Sequence, residues 1–459
     1  MSNEVAVTSG AAASSLGSQK LPPGGREMPP AIAAVDTEDA RRRWHGMMGD
    51  DGSGRKRRVL ILMSDTGGGH RASAEQALEA ALDELYPDMI DVDIVDVLTQ
   101  HAPWPFNKCV GAYQFMAKRP LLWKALWEYG RFPPTRKLSS EFMNLRCHRP
   151  FRAMFEEHKP DMVVSVHPLC QEVPLRVLQK MGGGTREIPF VTVVTDLGGA
   201  HPTWFHPDVD ACFVPSERLA ILARKCGLAP GQVRLHGLPI RPGFWREQSA
   251  KTKLQEKLGL KPGVKACLVV GGGDGVGGLE GIAGSVGRRL GQDERESQVV
   301  VVCGKNKVVK ASLEGAKWAP NVHMHVKGFV SNMDEWMGAV DCIVTKAGPG
   351  TIAEATTRGL PIMLSAFLPG QEEGNVPYVV EGGFGCFSKK PAKIADTISE
   401  WLRDDELLAR MSVNAKQASR PMATYRICED IGEMLFGRND FVLKVPGRCI
   451  QISNASIKK

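Results

Sequence analysis

The run Val59-Leu60-Ile61-Leu62-Met63 leads directly into Ser64-Asp65-Thr66-Gly67-Gly68-Gly69-His70, and the helix-compatible stretch Arg71 to Leu78 follows at once. Five consecutive apolar residues make a buried strand, and a glycine turn that opens a helix ties that strand to a covered, parallel sheet. Glycine has no Cβ, so backbone and ligand can approach closely there. The first turn of the helix adds unpaired N–H donors and partial positive charge. A histidine at the lip of such a turn can take a proton beside a bound anionic ligand. We therefore expect His70 to be a base, with the upstream Asp65 orienting it. The competing reading makes His70 an ordinary turn residue.

From Arg55 onward strands alternate with helical patterns, the signature of a parallel sheet covered on both faces. Strands are expected at 58–63, 91–97, 161–166, 189–195 and 210–214. His236-Gly237-Leu238-Pro239-Ile240-Arg241-Pro242 then suits an interdomain linker. A second series fits 265–270, 298–303, 322–326, 341–345 and 361–364, with helices at 351–358, 392–403 and 405–419. A chain of 459 residues is too long for one ordinary core. The expected architecture is α/β, with two doubly wound Rossmann-like domains facing a cleft. Residues 56–240 form the first half and 241–395 the second. Helices at 396–436 pack back towards the first domain, and 437–459 is a tail. Residues 1–55 read as a disordered leader or transit segment, although Glu4, Glu27, Asp36, Glu38 and Asp39 depart from the acid-poor transit pattern.

Hydrophobic residues make up 43% and charged residues 24%, a globular balance. No apolar run reaches the roughly 20 residues that span a bilayer. Eleven cysteines without a CxxC pair read as core thiols rather than a zinc site or disulfide frame. The net charge of +7 is concentrated: ten Lys or Arg face two Glu between His101 and Arg152, and the rest of the chain is close to neutral. Trp104, Phe106, Tyr113, Phe115, Trp123, Trp127, Tyr129 and Phe132 are interleaved with those cations. Trp123 and Trp127, four apart, share a helix face. That composition fits an interfacial patch on anionic lipid, and equally a helical hairpin whose aromatics fill a core. Single-stranded nucleic acid uses the same residue types, but nothing else in the chain supports it.

Asp341 to Ala355 carries a strand into Gly348-Pro349-Gly350 and then a helix, the arrangement that cradles phosphate on backbone N–H groups. Glu354, one turn into the helix, is placed to hold ribose hydroxyls. Gly370-Gln371-Glu372-Glu373-Gly374-Asn375 follows the next strand and adds polar groups at the same sheet edge, which favours a nucleotide-sugar site over a plain tight turn. Gly271-Gly272-Gly273-Asp274-Gly275-Val276-Gly277-Gly278 imitates a dinucleotide fingerprint, but the acid that fingerprint needs at the end of the next strand is missing. A diphosphate-facing loop fits better than NAD. The triplets Asp91-Val92-Asp93 and Asp208-Val209-Asp210 read as structural, so no metal is invoked.

With these stretches in order, the sequence resembles the monogalactosyldiacylglycerol synthases, plastid-envelope GT-B glycosyltransferases related to MurG. The resemblance spans roughly residues 58–436. It rests on Ser64 to Ser73, Pro103 to Asn107, His201 to His206, Gly237 to Pro242, Thr345 to Thr351 and Gly370 to Glu381. It implies transfer of galactose from UDP-galactose to the sn-3 hydroxyl of 1,2-diacylglycerol with inversion, His70 acting as base and no metal or cofactor taking part. Arg241, Pro242, Gly271, Gly272, Gly273, Gly348 and Gly350 would line the diphosphate, Glu354 the ribose, and Phe329 and Val330 the uracil. Gln371 and Glu372 would touch the sugar, with Gly69, Lys305, Lys346, Thr351 and Asn375 completing the donor set. Trp104, Pro105, Trp123, Trp127 and Trp204 would engage lipid, Pro105 within a segment linked to activation by phosphatidate or phosphatidylglycerol. The expected setting is a peripheral position on the plastid envelope or thylakoid, with a homodimer left open. The sequence departs from the plant pattern at Gly273-Asp274-Gly275-Val276 and loosely over Leu122 to Phe151. A transferase with another acceptor or sugar, and a non-catalytic anionic-lipid-binding protein on the same scaffold, remain as alternatives.

Overall fold

The computed structural model describes residues 55–65, 69–117, 119–246, 249–271, 278–437, 444–445 and 448–449. The leader through Gly54, Gly272 and Gly273 of the expected diphosphate loop, Lys118 of the basic segment and most of the tail lie outside the described residues.

The first sheet is built from β1 (Arg57–Met63), β2 (Ile90–Asp96), β3 (Met162–Ser165), β4 (Phe190–Val193), β5 (Ala211–Val214) and β6 (Val233–Leu235). Its strands are parallel and run in the order β2-β1-β3-β4-β5-β6. The unbroken apolar run in β1 has a direct cause. Leu60 and Leu62 face a core with Phe151 and Phe155, while Val59, Ile61 and Met63 face a second core with Leu78 and Leu82. Both faces are covered, so period-two alternation disappears. After β1 the chain turns through Gly69–Arg71, continues as a π-helix over Ala72–Glu79 and closes as an α-helix over Ala80–Leu85. Between β2 and β3 stands a helical module of α1 (Cys109–Ala117), α2 (Pro120–Arg131) and α3 (Pro133–His158), the last two opening on proline at a position where the missing N–H is harmless.

The second sheet comprises β7 (Ala266–Val270), β8 (Ser297–Val302), β9 (Val322–Lys327), β10 (Cys342–Lys346), β11 (Ile362–Ala366) and β12 (Gly385–Phe387), in the order β12-β11-β10-β7-β8-β9. Strand order reverses between β1 and β3 in one sheet and between β7 and β10 in the other. Crevices at such switch points, outside the carboxyl ends of the strands, are where doubly wound sheets take ligands. The helices that serve the second site are α4 (Pro349–Thr357) and α5 (Asn375–Glu381).

The helices expected to return to the first domain do so only at the end. α6 (Pro391–Arg403) and α7 (Asp405–Ala418) put Ile394, Ile398, Trp401, Leu408 and Met411 into the core behind the second sheet. α8 (Ala423–Phe436) makes the crossing, burying Tyr425, Ile427, Cys428 and Ile431 with Val59, Leu78 and Leu82. Its apolar face matches the first sheet, and those of α6 and α7 match the second. The segment expected to link the two domains is tied down along its length. Leu238 and Ile240 are buried in the second core, and both backbone groups of Ile240 hydrogen-bond Thr424 Oγ1, at 2.9 and 2.8 Å.

Candidate active site in the interdomain cleft

His70 leaves the glycine turn at the end of β1, and β3 and β4 end beside it. Its Nδ1 lies 2.8 Å from the backbone oxygen of Val166 and 3.0 Å from Thr195 Oγ1. A carbonyl can only accept, so Nδ1 carries the proton and Nε2 keeps its lone pair. The imidazole packs edge-to-face on His167, with ring centroids 4.6 Å apart, and lies 6.0 Å from the Trp204 ring. Burial lowers its pKa to about 4, opposed by the Val166 hydrogen bond and by the charge of Asp65. The ring is therefore a neutral acceptor across the physiological range.

Asp65 does not orient it by hydrogen bonding, contrary to the sequence expectation. Its carboxylate receives Arg71 Nε at 2.8 Å, and its field reaches His70 only through space. A one-dimensional pattern offers the nearest acid along the chain, whereas the structural orienter is a carbonyl 96 residues away.

Across the cleft, β10 runs into Gly348-Pro349-Gly350 and α4, whose first turn is free of acidic residues. Glu354 accepts from Arg241 Nε at 2.8 Å, so two expected donor contacts from opposite ends of the domain meet. Burial raises the Glu354 pKa, and the Arg241 charge and hydrogen bond oppose that. Gly271 follows β7 on the other side of the switch point, while Lys305 and Phe329, both exposed, and half-buried Val330 follow β8 and β9 at the same sheet edge. Lys346 Nζ pairs with Glu372 Oε1 at 2.5 Å, and Glu372 Oε2 accepts from the backbone N–H of Leu368 at 2.8 Å.

The two halves touch at backbone level. A Cβ placed on Gly198 would lie 2.1 Å from the backbone oxygen of Gly374, and one on Gly370, at φ +79°, would lie 2.7 Å from Trp127 Cδ1. Gly198 N–H donates to Asn375 Oδ1 at 2.7 Å, and Asn375 Nδ2 donates to the Ala347 carbonyl at 2.8 Å. Asn375 is thus an interdomain tie, using one amide N–H and the amide oxygen. Through Thr195, Gly198 and Asn375, the His70 site is joined to the Gly-Pro-Gly bend.

The lipid set divides. Trp104, cis-bonded to Pro105, is 70% exposed. Trp204 is wholly buried and donates from Nε1 to Asp196 Oδ2 at 2.7 Å, so it forms the wall under His70 and presents no face to lipid. Trp123 and Trp127 do share a face, but an inward one: Trp123 is buried edge-to-face on Tyr113 at 4.8 Å, and Trp127 meets His201 at 4.9 Å. The outward face belongs to Leu121, 85% exposed, with Leu122, Leu126 and Tyr129, and is continued by Phe132, Leu138, Phe142 and Leu145. The two Asp-x-Asp triplets have structural partners: Lys56 and His158 for the first, Gln179 and Arg186 for the second.

Sequence reading missed Val166, His167, Thr195 and Asp196, and it grouped Tyr113 with the interfacial aromatics rather than with the cleft. A signal existed for two of them. Val193-Val194-Thr195-Asp196-Leu197-Gly198-Gly199 is again an apolar strand running through polar residues into glycines. Tyr113 had none, since its hydroxyl reaches Gln371 Oε1, at 3.3 Å, from 258 residues away.

Residues 70–240 match the family model for monogalactosyldiacylglycerol (MGDG) synthase, and residues 266–425 match the glycosyltransferase family 28 C-terminal domain. The chain is 45% identical over 389 residues to a probable chloroplastic monogalactosyldiacylglycerol synthase of Nicotiana tabacum, covering 83% of this chain and 72% of that one. This chain belongs to the monogalactosyldiacylglycerol synthase family. Synthase 1 of Arabidopsis thaliana, also chloroplastic, is 42% identical over 406 residues, covering 86% of this chain and 75% of that one. Among solved structures, MurG of Acinetobacter baumannii superposes with a TM-score of 0.55 at 15% identity, covering 82% of this chain and all of that one. That likeness concerns the fold, which is GT-B. For a synthase of this family, His70, Thr195 and Asp196 form the wall of one lobe, and Arg241, Glu354 and Glu372 that of the other.

Proposed function

We propose that this synthase moves galactose from UDP-galactose to the free hydroxyl of 1,2-diacylglycerol in one displacement, with His70 as the base. Family membership supplies the reaction class: it is a galactosyltransferase that acts on diacylglycerol and makes monogalactosyldiacylglycerol. The single observation supporting the mechanism is the Val166 carbonyl on His70 Nδ1, which leaves Nε2 as the acceptor. The glycerol oxygen attacks the anomeric carbon, its proton passes to Nε2, and UDP departs from the opposite face with the bonding pair. Backbone N–H groups at the start of α4 stabilise the charge developing on the diphosphate, and no metal is assigned to that task. Arg241 beside Glu354 frames the diphosphate and ribose, and Gln371 and Glu372 face the sugar.

His70→Ala is expected to lose transfer by about 10²–10⁴-fold, the usual contribution of a general base, while UDP still binds. Labelled UDP-galactose, UDP-glucose and UDP-N-acetylglucosamine over diacylglycerol vesicles test the donor. Near-normal turnover by the alanine variant refutes the base assignment.

The outward leucines and aromatics of α2 and α3, together with Arg119, Lys124, Arg131, Arg136 and Lys137, support peripheral docking on an anionic surface such as one bearing phosphatidate or phosphatidylglycerol. No described helix is long and apolar enough to cross a membrane. Its chloroplastic relatives support a plastid site, which we place at the envelope or thylakoid surface.

A further inference from the structure

Asp196 has a setting that the mechanism above does not use. It follows β4 in the loop that carries Thr195, is only 5% exposed, and receives the Trp204 indole N–H at 2.7 Å. On its other side stands the donor-sugar loop. The loop of Asp196 is tied to it by the Gly198 N–H on Asn375 Oδ1 at 2.7 Å, which brings Gln371 and Glu372 near enough to act on the Asp196 carboxyl. Gln371 is held as well by the Tyr113 hydroxyl at 3.3 Å. A first-domain carboxyl therefore sits between the wall of the base and the loop expected to face galactose.

We propose that Asp196 is a positioning residue for the transfer: anchored by Trp204 beside His70, it meets Gln371 across the cleft and sets the sugar loop in register with the base. This inference rests on the galactosyl-transfer reading of the cleft. Asp196 does the work in its neutral form. Two buried carboxylates side by side repel, and a cation is needed for each to stay charged. Lys346 serves Glu372, and no cation is among the groups acting on Asp196. Burial, with Glu372 adding and the Trp204 and Gln371 hydrogen bonds subtracting, lifts the Asp196 carboxyl to about 7. The other titratable group facing it is Tyr113, whose hydroxyl is pushed up by burial and then by Glu372 and Asp196. Ionising Asp196 places a second negative charge beside Glu372, so the sugar loop loosens as pH rises.

The test measures kcat and KM for UDP-galactose over diacylglycerol vesicles, from about pH 6 to 9, for the wild type, Asp196→Ala and Asp196→Asn, with the melting temperature of each. The alanine variant is expected to raise KM for UDP-galactose about tenfold at pH 6.5, the effect of losing a buried hydrogen-bonding partner. The asparagine variant, neutral and of the same shape, is expected to restore most of that loss. It is also expected to abolish the alkaline rise in KM that the wild type shows above about pH 7, a rise that a purely structural role does not predict. Wild-type kinetics in the alanine variant, an asparagine variant no better than alanine, or an alkaline rise that survives in asparagine overturns the inference. A wild type that fails to turn over UDP-galactose overturns the reading of the cleft, and this inference with it.

Discussion

At the scale of single residues, the neutrality of His70 has a pH signature. Its folded pKa, about 4, lies below the ordinary 6.5. The unfolded chain therefore binds the proton more tightly. Stability contributed by the neutral ring is complete above about pH 6.5 and is lost as pH falls from there towards 4. For catalysis the sign is favourable, because Nε2 stays unprotonated well into the acid range. Initial rates between about pH 5 and 8 should show no acid limb centred near 6.5, and such a limb would mean an imidazole that titrates as in open solvent. The places of His70 and Glu354 at the cleft were legible in the chain because each sits where a strand runs into a helix start, a local pattern, whereas Arg241 was offered only by the family resemblance and meets Glu354 in the fold. The structural partners of Asp65, Asn375 and Trp204 were out of reach for the opposite reason. Their roles are set by Arg71, by Gly198 with Ala347, and by Asp196, partners that spacing along the chain does not disclose.

At the scale of elements, helical spacing correctly grouped Trp123 with Trp127 but could not tell which face was buried. The structure turns the tryptophans towards Tyr113, His201 and Gly370 and turns the leucines outward. Leu121→Asp combined with Leu126→Asp should weaken binding to anionic vesicles by about tenfold or more, since each buried leucine contributes about 1.5–3 kcal/mol. Both side chains are exposed, so the melting temperature should hold. Sedimentation with vesicles checks the first point and thermal unfolding the second; unchanged sedimentation would assign the membrane contact elsewhere. Because α2 touches the sugar loop through Trp127, Trp127→Ala should raise KM for UDP-galactose even in detergent solution. An effect that appears only with vesicles would instead place Trp127 at the lipid.

At the scale of the molecule, both sheets were readable from strand spacing, and ten of the twelve main strands fell within a residue or two of expectation. The short edge strands β6 and β12, three residues each, gave no usable pattern because a few half-buried positions do not establish a period. The return was expected from residue 396 onward, whereas α8 alone makes it and α6 and α7 stay behind the second sheet, since amphipathic helices look alike until the sheet they cover is known. Ile431→Ala, which removes a fully buried side chain from the core shared by α8 and β1, should cost about 2–5 kcal/mol. Denaturant unfolding measures it, and the same substitution at exposed Val413 on α7 should be nearly silent. Gly198 and Gly374 sit with no room for even a methyl group between the lobes. Alanine at either position is therefore a ready-made wedge, able to prop the enzyme ajar so that solution scattering and crystallisation can capture it with its jaws apart.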